Sequence, residues 1–259
     1  MPVATNHRTL SDDDVVRVLD LARKADSVEL KLTAPASDRD PTIRALDLDP
    51  LQAQIRQVFF FDTPTLDLHG AGVVARARRI QGKGGDTVVK LRPVDPSDLP
   101  TELRESPDFV VEVDAMPTGY VCSASLKRSV DAAKIREAAF GQVPVRKLFS
   151  KAQRRFVEAN APFGIDFDCL AILGPIFVLK VKFAPEAFAR RLVAELWLYP
   201  DGARILELST KCDASDAFQV AAELRALLNG HGLGVAAKQE TKTKAALTYF
   251  SKHLTRAHA

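Results

Sequence analysis

Val73-Val74-Ala75-Arg76-Ala77-Arg78-Arg79-Ile80, then Gln81-Gly82-Lys83-Gly84-Gly85-Asp86, then Thr87-Val88-Val89-Lys90-Leu91-Arg92: this stretch decides the fold. Two β-rich runs flank a glycine-containing loop, which predicts a β-hairpin. The Gly-Lys-Ser/Thr ending of a phosphate-cradling loop is absent, so the hairpin reading stands over the nucleotide-loop reading. Side chains two apart in a strand share a face, so each run carries charge on one side and apolar groups on the other. The hairpin reading pairs Arg76 and Arg78 with Lys90 and Arg92, bringing four cations together.

The same form recurs in Val28-Glu29-Leu30-Lys31-Leu32, in Val111-Glu112-Val113-Asp114 and in Leu206-Glu207-Leu208. One such strand is ordinary, because an antiparallel sheet commonly turns its polar face to solvent. Several of them, with acidic and basic pairs in separate strands, predict a single surface built to hold a polyanion and a metal. Coulomb's law sets the scale. A like-charged pair ~5 Å apart costs about 0.8 kcal/mol in water and roughly 3 kcal/mol at an effective dielectric near ~20. A crowded site therefore needs carboxylates or a bound anion. Glu29, Glu112, Asp114 and Glu207 supply hard oxygen ligands suited to Mg²⁺ or Mn²⁺.

The chain has 259 residues, enough for one large barrel-type domain or two smaller ones. Apolar content of 46% and charged content of 27% are those of an ordinary soluble protein. A net charge of +3 fits a local anion site better than a broad nucleic-acid surface. Cys122, Cys169 and Cys212 are scattered without metal-ligand spacing, which predicts reduced thiols in a reducing compartment. No apolar run precedes Ser11-Asp12-Asp13-Asp14, so no secretory signal is expected. The longest apolar stretch, residues 170–181, contains Gly174, Pro175 and Lys180 and is too short to span a bilayer. The expectation is a cytoplasmic protein with neither nucleic acid nor membrane as partner.

Ser11 and the aspartates after it predict a capped helix through about Lys24, with Val15, Val18, Leu19 and Ala22 at helical spacing. Further strands are predicted over residues 57–62, 109–114, 176–183, 192–199 and 203–211. Pro200-Asp201-Gly202 joins the last two as a hairpin turn. Residues 130–140, capped by Ser129, and a segment from Asp213 or Ser215 to near Gly230 read as helices. The proline-rich residues 93–107 read as a mobile connection or lid. About nine strands and a few helices favour one antiparallel barrel-like domain.

These charged strands resemble the CYTH family, the triphosphate tunnel metalloenzymes, which include class IV adenylate cyclases, thiamine triphosphatases and inorganic tripolyphosphatases. Ser27-Val28-Glu29-Leu30-Lys31 occupies the place of the family's Glu-x-Glu-x-Lys signature. Phe61-Asp62-Thr63-Pro64-Thr65-Leu66-Asp67-Leu68, followed by residues 72–78, resembles the family's run from second to third strand. Residues 87–92 match the basic strand after it, and Glu112-Val113-Asp114 the next acidic one. Ile205-Leu206-Glu207-Leu208-Ser209 matches the late acidic strand. The resemblance covers most of residues 27–250, strongly over 57–92 and loosely over 115–200. Two acids of the pattern are replaced, by Ser27 and by Ser209.

What the resemblance implies is an α+β fold: a single domain with an antiparallel β-barrel or tunnel of eight or more strands and flanking helices. Lys31, Arg76, Arg78, Lys90, Arg92 and either Arg154 or Arg155 would grip triphosphate oxygens. Arg154 or Arg155 would sit on a later strand. Glu29, Glu112, Asp114 and Glu207 would hold Mg²⁺ or Mn²⁺, with Glu29 and Lys31 as catalytic residues. The implied activity is metal-dependent hydrolysis of an inorganic or organic triphosphate, the partner being a triphosphate or polyphosphate small molecule. Non-catalytic binding of polyphosphate or nucleotide follows from Ser27 and Ser209, and cyclisation of ATP ranks last because nothing specifies an adenine pocket. The oligomeric state is left open, a homodimer included.

Other residues receive plainer readings. His7, His69, His231, His253 and His258 lack paired metal spacing and read as surface residues. Lys238, Lys242 and Lys244 read as a solvated helix face, with one of them in the place of a late family lysine. Trp197, Tyr199 and Phe183 read as packing, and the sequence does not place Lys180 and Lys182.

Overall fold

The structure is a computed structural model that describes residues 12–235 and 241–257. The expected cap Ser11, and also His7, Lys238 and His258, lie outside the described residues. Nine strands form: β1 (Ser27–Thr33), β2 (Gln54–Asp62), β3 (Val73–Ile80), β4 (Gly85–Leu91), β5 (Phe109–Met116), β6 (Gly119–Val130), β7 (Ala171–Phe183), β8 (Leu192–Leu198) and β9 (Arg204–Cys212). They close into a barrel in the order β1-β5-β6-β4-β3-β2-β7-β8-β9. The described α-helices are α1 (Asp12–Lys24), α2 (Arg39–Ala45), α3 (Asp67–Gly70), α4 (Thr101–Arg104), α5 (Ala132–Ala139), α6 (Lys151–Asn160), α7 (Ala217–Gly230) and α8 (Lys242–Ala257). The expected α+β barrel with flanking helices is therefore observed. Its ladders are antiparallel except where β1 meets β5 in parallel, so the barrel is mixed.

Strand alternation sorts the chain into two faces. Val28, Leu30, Phe59, Phe61, Ala75, Ala77, Val111 and Val113 point outward into a core shared with Leu21 of α1, Ile135 of α5, Phe156 and Val157 of α6, and Leu224 of α7. A second outer core joins Leu206 and Leu208 of β9 to Leu46 and Leu228. With the apolar faces turned outward onto helices, the charged faces must turn into the barrel.

Local chemistry fixes the corners around that interior. The Asp62 carboxylate accepts from the backbone N–H groups of Thr63, Leu68 and His69 at 2.8, 2.9 and 3.0 Å, turning the chain from β2 towards β3. Gly72 sits at φ 79°, and a Cβ there would collide with the Arg92 carbonyl oxygen. Its own carbonyl accepts from Arg92 N–H at 2.9 Å, tying the end of the hairpin to its start.

Several expectations are corrected. The register sets Arg76 opposite Val88, Arg78 opposite Asp86 and Lys90 opposite Val74, and Arg92 lies past the end of β4. The hairpin thus avoids the direct like-charge pairs that destabilise sheets. Arg154 and Arg155 lie on α6, on the outer wall, not on a strand. A capping box starts that helix: Ser150 Oγ accepts from Gln153 N–H at 3.1 Å, and Gln153 Oε1 accepts from Ser150 N–H at 3.0 Å. Gln153 Nε2 then donates to the Thr87 and Leu126 carbonyls, both at 3.1 Å, docking α6 on β4 and β6. With Gln153, Phe156 and Val157 turned inward, Arg155 is left exposed.

Helix α5 is capped by Asp131 rather than Ser129, which still belongs to β6. Residues 93–107 carry a 3₁₀ turn over Pro96–Asp98 and α4, with Pro96 buried and Leu99 and Leu103 against the outer core, so the segment is docked.

A candidate active site inside the barrel

The inner face holds two linked charge clusters. The first lies where β1, β5, β4 and β9 meet. Glu29 stands beside Asp114 in the parallel register and opposite Lys211 in the antiparallel one. Lys31 Nζ donates to Asp114 at 2.6 Å and lies 3.0 Å from Glu29. Lys90 Nζ meets the other Asp114 oxygen at 3.3 Å. Glu112 accepts from Ser27 Oγ at 3.2 Å and is ion-paired with Lys211.

Burial and charge compete throughout this cluster. Burial alone would raise the Asp114 carboxyl, but Lys31 and Lys90 override it and hold it at about 2. Burial would lower Lys31, yet Asp114, Glu29 and Glu207 together raise it. Lys90 is lowered, because burial outweighs Asp114 there.

The second cluster lies on β2, β3, β4, β7, β8 and β9. Arg78 holds Asp86 in a bidentate pair, both contacts at 2.7 Å. Glu195 and Glu207 face each other across the β8–β9 ladder, and Lys242 of α8 reaches both, 2.7 Å from Glu207. Glu195 also takes Lys180 at 3.1 Å and a hydrogen bond from Trp197 Nε1 at 3.3 Å. Burial would raise Glu195, and Lys242 with Lys180 drives it well below the usual carboxylate range.

Arg76 stands apart. Its Nε is buried with no hydrogen-bond partner, and burial together with neighbouring Arg78 disfavours the charged form.

Helix α8 closes the apolar part of the interior. Val58, Phe60, Val74, Ile176, Val178 and Trp197 pack with Ala246 and Leu247 of α8. Val74 shares the face of Arg76, and Val58 that of Arg56, so the helix sits on the tunnel side of the sheet.

The barrel therefore brings together Glu29, Lys31, Lys90, Glu112 and Asp114 in one cluster, with Arg76 and Arg78 further along the same inner face. Arg92 flanks the first cluster, close enough that its charge lowers Asp114. Glu29, Glu112 and Asp114 each offer an oxygen within 4.8 Å of the others, a donor set and spacing that fit a hard divalent cation. Glu207 lies outside that trio and is engaged by Lys242. Arg154 and Arg155 do not reach the interior. Sequence reasoning missed Asp86, Glu195 and Arg56 in the interior and the exposed Lys211 beside Glu112, although Glu195 and Lys211 fall at alternating positions within strands that it predicted. Lys180 faces the interior through Glu195, and Lys242 is a tunnel residue rather than part of a solvated face.

The low Asp114 value has a stability consequence. Its folded pKa lies below the ordinary unfolded value of about 3.9, so its contribution is present above that value and is lost as pH falls towards 2. About 2 kcal/mol is expected to disappear between pH 5 and pH 2 on this account. Urea unfolding from pH 7 to pH 2.5 on the wild type and Asp114→Asn checks it. A parallel pH dependence in the two proteins would show that Asp114 does not carry the effect.

No family model and no curated protein matches this chain. Solved structures do. A protein from Hippeastrum, studied as a candidate adenylyl cyclase and found to have a dominant triphosphatase activity, superposes with a TM-score of 0.62 at 16% identity, covering 85% of this chain and 94% of that one. A candidate adenylate cyclase from Bacillus halodurans superposes at 0.57 with 12% identity, over 85% of this chain and 96% of that one. At these identities the comparison establishes the shared tunnel fold.

Proposed function

We propose that this chain, which has the CYTH-type tunnel fold, hydrolyses a small molecule bearing a triphosphate with the help of a divalent cation. One observation carries the reading. The Arg76 guanidinium is enclosed in the tunnel with an unpartnered Nε, while the other interior cations have carboxylates or, like Lys90, share one. A buried cation whose attraction to Asp86 and Glu195 does not offset its burial is costly, and an anionic substrate would reduce that cost. The dominant triphosphatase activity of the Hippeastrum protein supports the same substrate class.

In this reading Arg76 takes terminal phosphate oxygens as a planar bidentate donor, Arg78 adds the N–H groups that its fork to Asp86 leaves free, and Lys31, Lys90 and Arg92 neutralise the rest. Glu29, Glu112 and Asp114 would hold Mg²⁺ or Mn²⁺. When bound, the ion would supply Lewis-acid polarisation of the phosphates and a lowered pKa for its water. Lys31 holds Glu29 and Asp114 in place at 3.0 and 2.6 Å. Positioning and charge stabilisation would do most of the catalysis, as is general in phosphoryl transfer. Phosphate release from tripolyphosphate, ATP and thiamine triphosphate, with Mg²⁺ and with Mn²⁺, tests the proposal. Turnover with at least one substrate, abolished by chelation, is expected; a rate no higher than that of Glu29→Gln with all three sinks it.

A second reading, binding without turnover, is favoured by Ser27 in the place of an acid and by Lys211 paired with Glu112 at the trio. Turnover of tripolyphosphate well above the Glu29→Gln control would remove it. Chromatography of the ATP reaction for a cyclic product decides the cyclase alternative.

A further inference from the structure

The basic run at residues 146–155 has no place in the tunnel. Two of its lysines and one arginine line a cleft of about 470 Å³ on the outer wall instead. Lys147 comes from the 3₁₀ turn Val145–Leu148, and Lys151 and Arg154 from the first turns of α6. Arg128 of β6 and Lys134 of α5 complete a ring of five cations, with Glu137 the one carboxylate of the lining. Among the described residues these five cations form no ion pair, whereas their neighbours do: Arg146 binds Asp168 and Lys127 binds Asp86. Four separate elements thus converge like charges without neutralising them.

We infer that this cleft is a second anion site, distinct from the tunnel, that takes a soluble oligophosphate. Like charges gathered in a concave surface focus a positive potential, and that potential is relieved by a compact multivalent anion. The ten-residue helix α6 begins in the cleft at Ser150 and adds its positive end to the same field. The dimensions decide the class. Five cations are confined to one cleft on a chain of net charge +3, which is the footprint of a small anion rather than of a nucleic-acid track. The lining aromatic, Phe149, is only 2% exposed and offers no platform for a base. The inference stands on the cleft alone and does not require the tunnel to turn over substrate.

Calorimetric titration of the full chain with inorganic tripolyphosphate, at 50 and 200 mM salt without divalent metal, tests it. The triple variant Lys147→Glu, Lys151→Glu, Arg154→Glu is expected to lose one class of binding site at least tenfold in affinity, while the class sensitive to Arg76→Ala persists. The lost class is expected to weaken steeply with salt. Lys151→Ala alone, a single exposed truncation, is expected to weaken that class about threefold and keeps the test open if the triple variant unfolds. If tripolyphosphate binds both variants as it binds the wild type, the second site does not exist. If a single-stranded oligonucleotide displaces tripolyphosphate from the cleft at lower concentration than tripolyphosphate itself binds, the oligophosphate assignment is overturned. A single class of site abolished by the triple variant and untouched by Arg76→Ala upholds the cleft and counts against the tunnel reading instead.

Discussion

Arg76→Met is expected to lower kcat/KM for triphosphate hydrolysis by about 10³-fold while leaving the thermal midpoint unchanged or higher. The two halves of this result come from one cause. In the absence of an anion, the guanidinium sits in an enclosed space with Nε unpartnered and Arg78 nearby, and Asp86 and Glu195 do not make up for its burial, so the folded state bears an under-compensated charge. Methionine fills similar volume without that charge, and replacing buried ionic groups by apolar ones of like size is commonly neutral or stabilising. With triphosphate present the sign reverses, because the charge is then matched by phosphate oxygens and its loss removes transition-state stabilisation. Steady-state kinetics and differential scanning fluorimetry, each with and without tripolyphosphate, read both halves. Wild-type protein should gain thermal stability on adding tripolyphosphate, and the variant should gain much less. A variant that keeps wild-type kcat/KM, or that melts well below the wild type in the absence of ligand, would show Arg76 to be structural.

How far the sequence speaks for this site depends on the kind of signal each residue leaves. Strand β3 and the charged faces of β1, β4, β5 and β9 were legible because alternation is a local property: Glu29 with Lys31 and Arg76 with Arg78 share a face whatever their strands pair with. Register is not local. Whether Arg78 meets Lys90 or Asp86 depends on where the 81–84 turn closes, and the observed pairing with Asp86 was invisible to the count of charges. Strand β6 leaves little signal because Val121, Ser123, Ser125 and Ser129 on its inward face carry no charge, and Lys127 is a single cation rather than an alternating pair. Arg154 and Arg155 were misplaced because basic residues beside Phe156 and Val157 fit a strand as well as a helix, until Ser150 and Gln153 are recognised as a capping box. The charge run near the C-terminus has the form of a solvated face, and Lys244 is exposed as that form requires, but Lys242 is not part of it. A long-range partner decides this: Glu195 is separated from Lys242 by 47 positions.

That partner sets up the second large effect. Lys242→Ala is expected to destabilise the fold by about 3–5 kcal/mol, the usual cost of stranding a buried charge. Glu195 and Glu207 lie directly opposite each other across β8 and β9, with side-chain exposures of 14% and 10%, and Lys242 is the cation that touches both. Without it Glu207 loses its ion-pair partner, and Glu195 keeps Lys180 but gains an uncompensated neighbour. The ammonium also lies 5.2 Å from the centre of the Trp197 ring, and the Lys242 carbonyl accepts from Tyr199 Oη at 2.9 Å, so the start of α8 is pinned at the same place. For a chain of this length a loss of that size corresponds to a fall of roughly 10 °C in Tm. Charge, not packing, is the proposed cause, and a second substitution separates the two. Adding Glu207→Gln to Lys242→Ala removes the stranded carboxylate while leaving the cavity, so it should recover at least half of the lost Tm. Chemical denaturation of wild type, single and double variants measures all three. Equal loss in the single and the double variant would mean that Lys242 acts through its aliphatic stem on Trp197 and α8, and the like-charged pair at Glu195 and Glu207 would need another explanation.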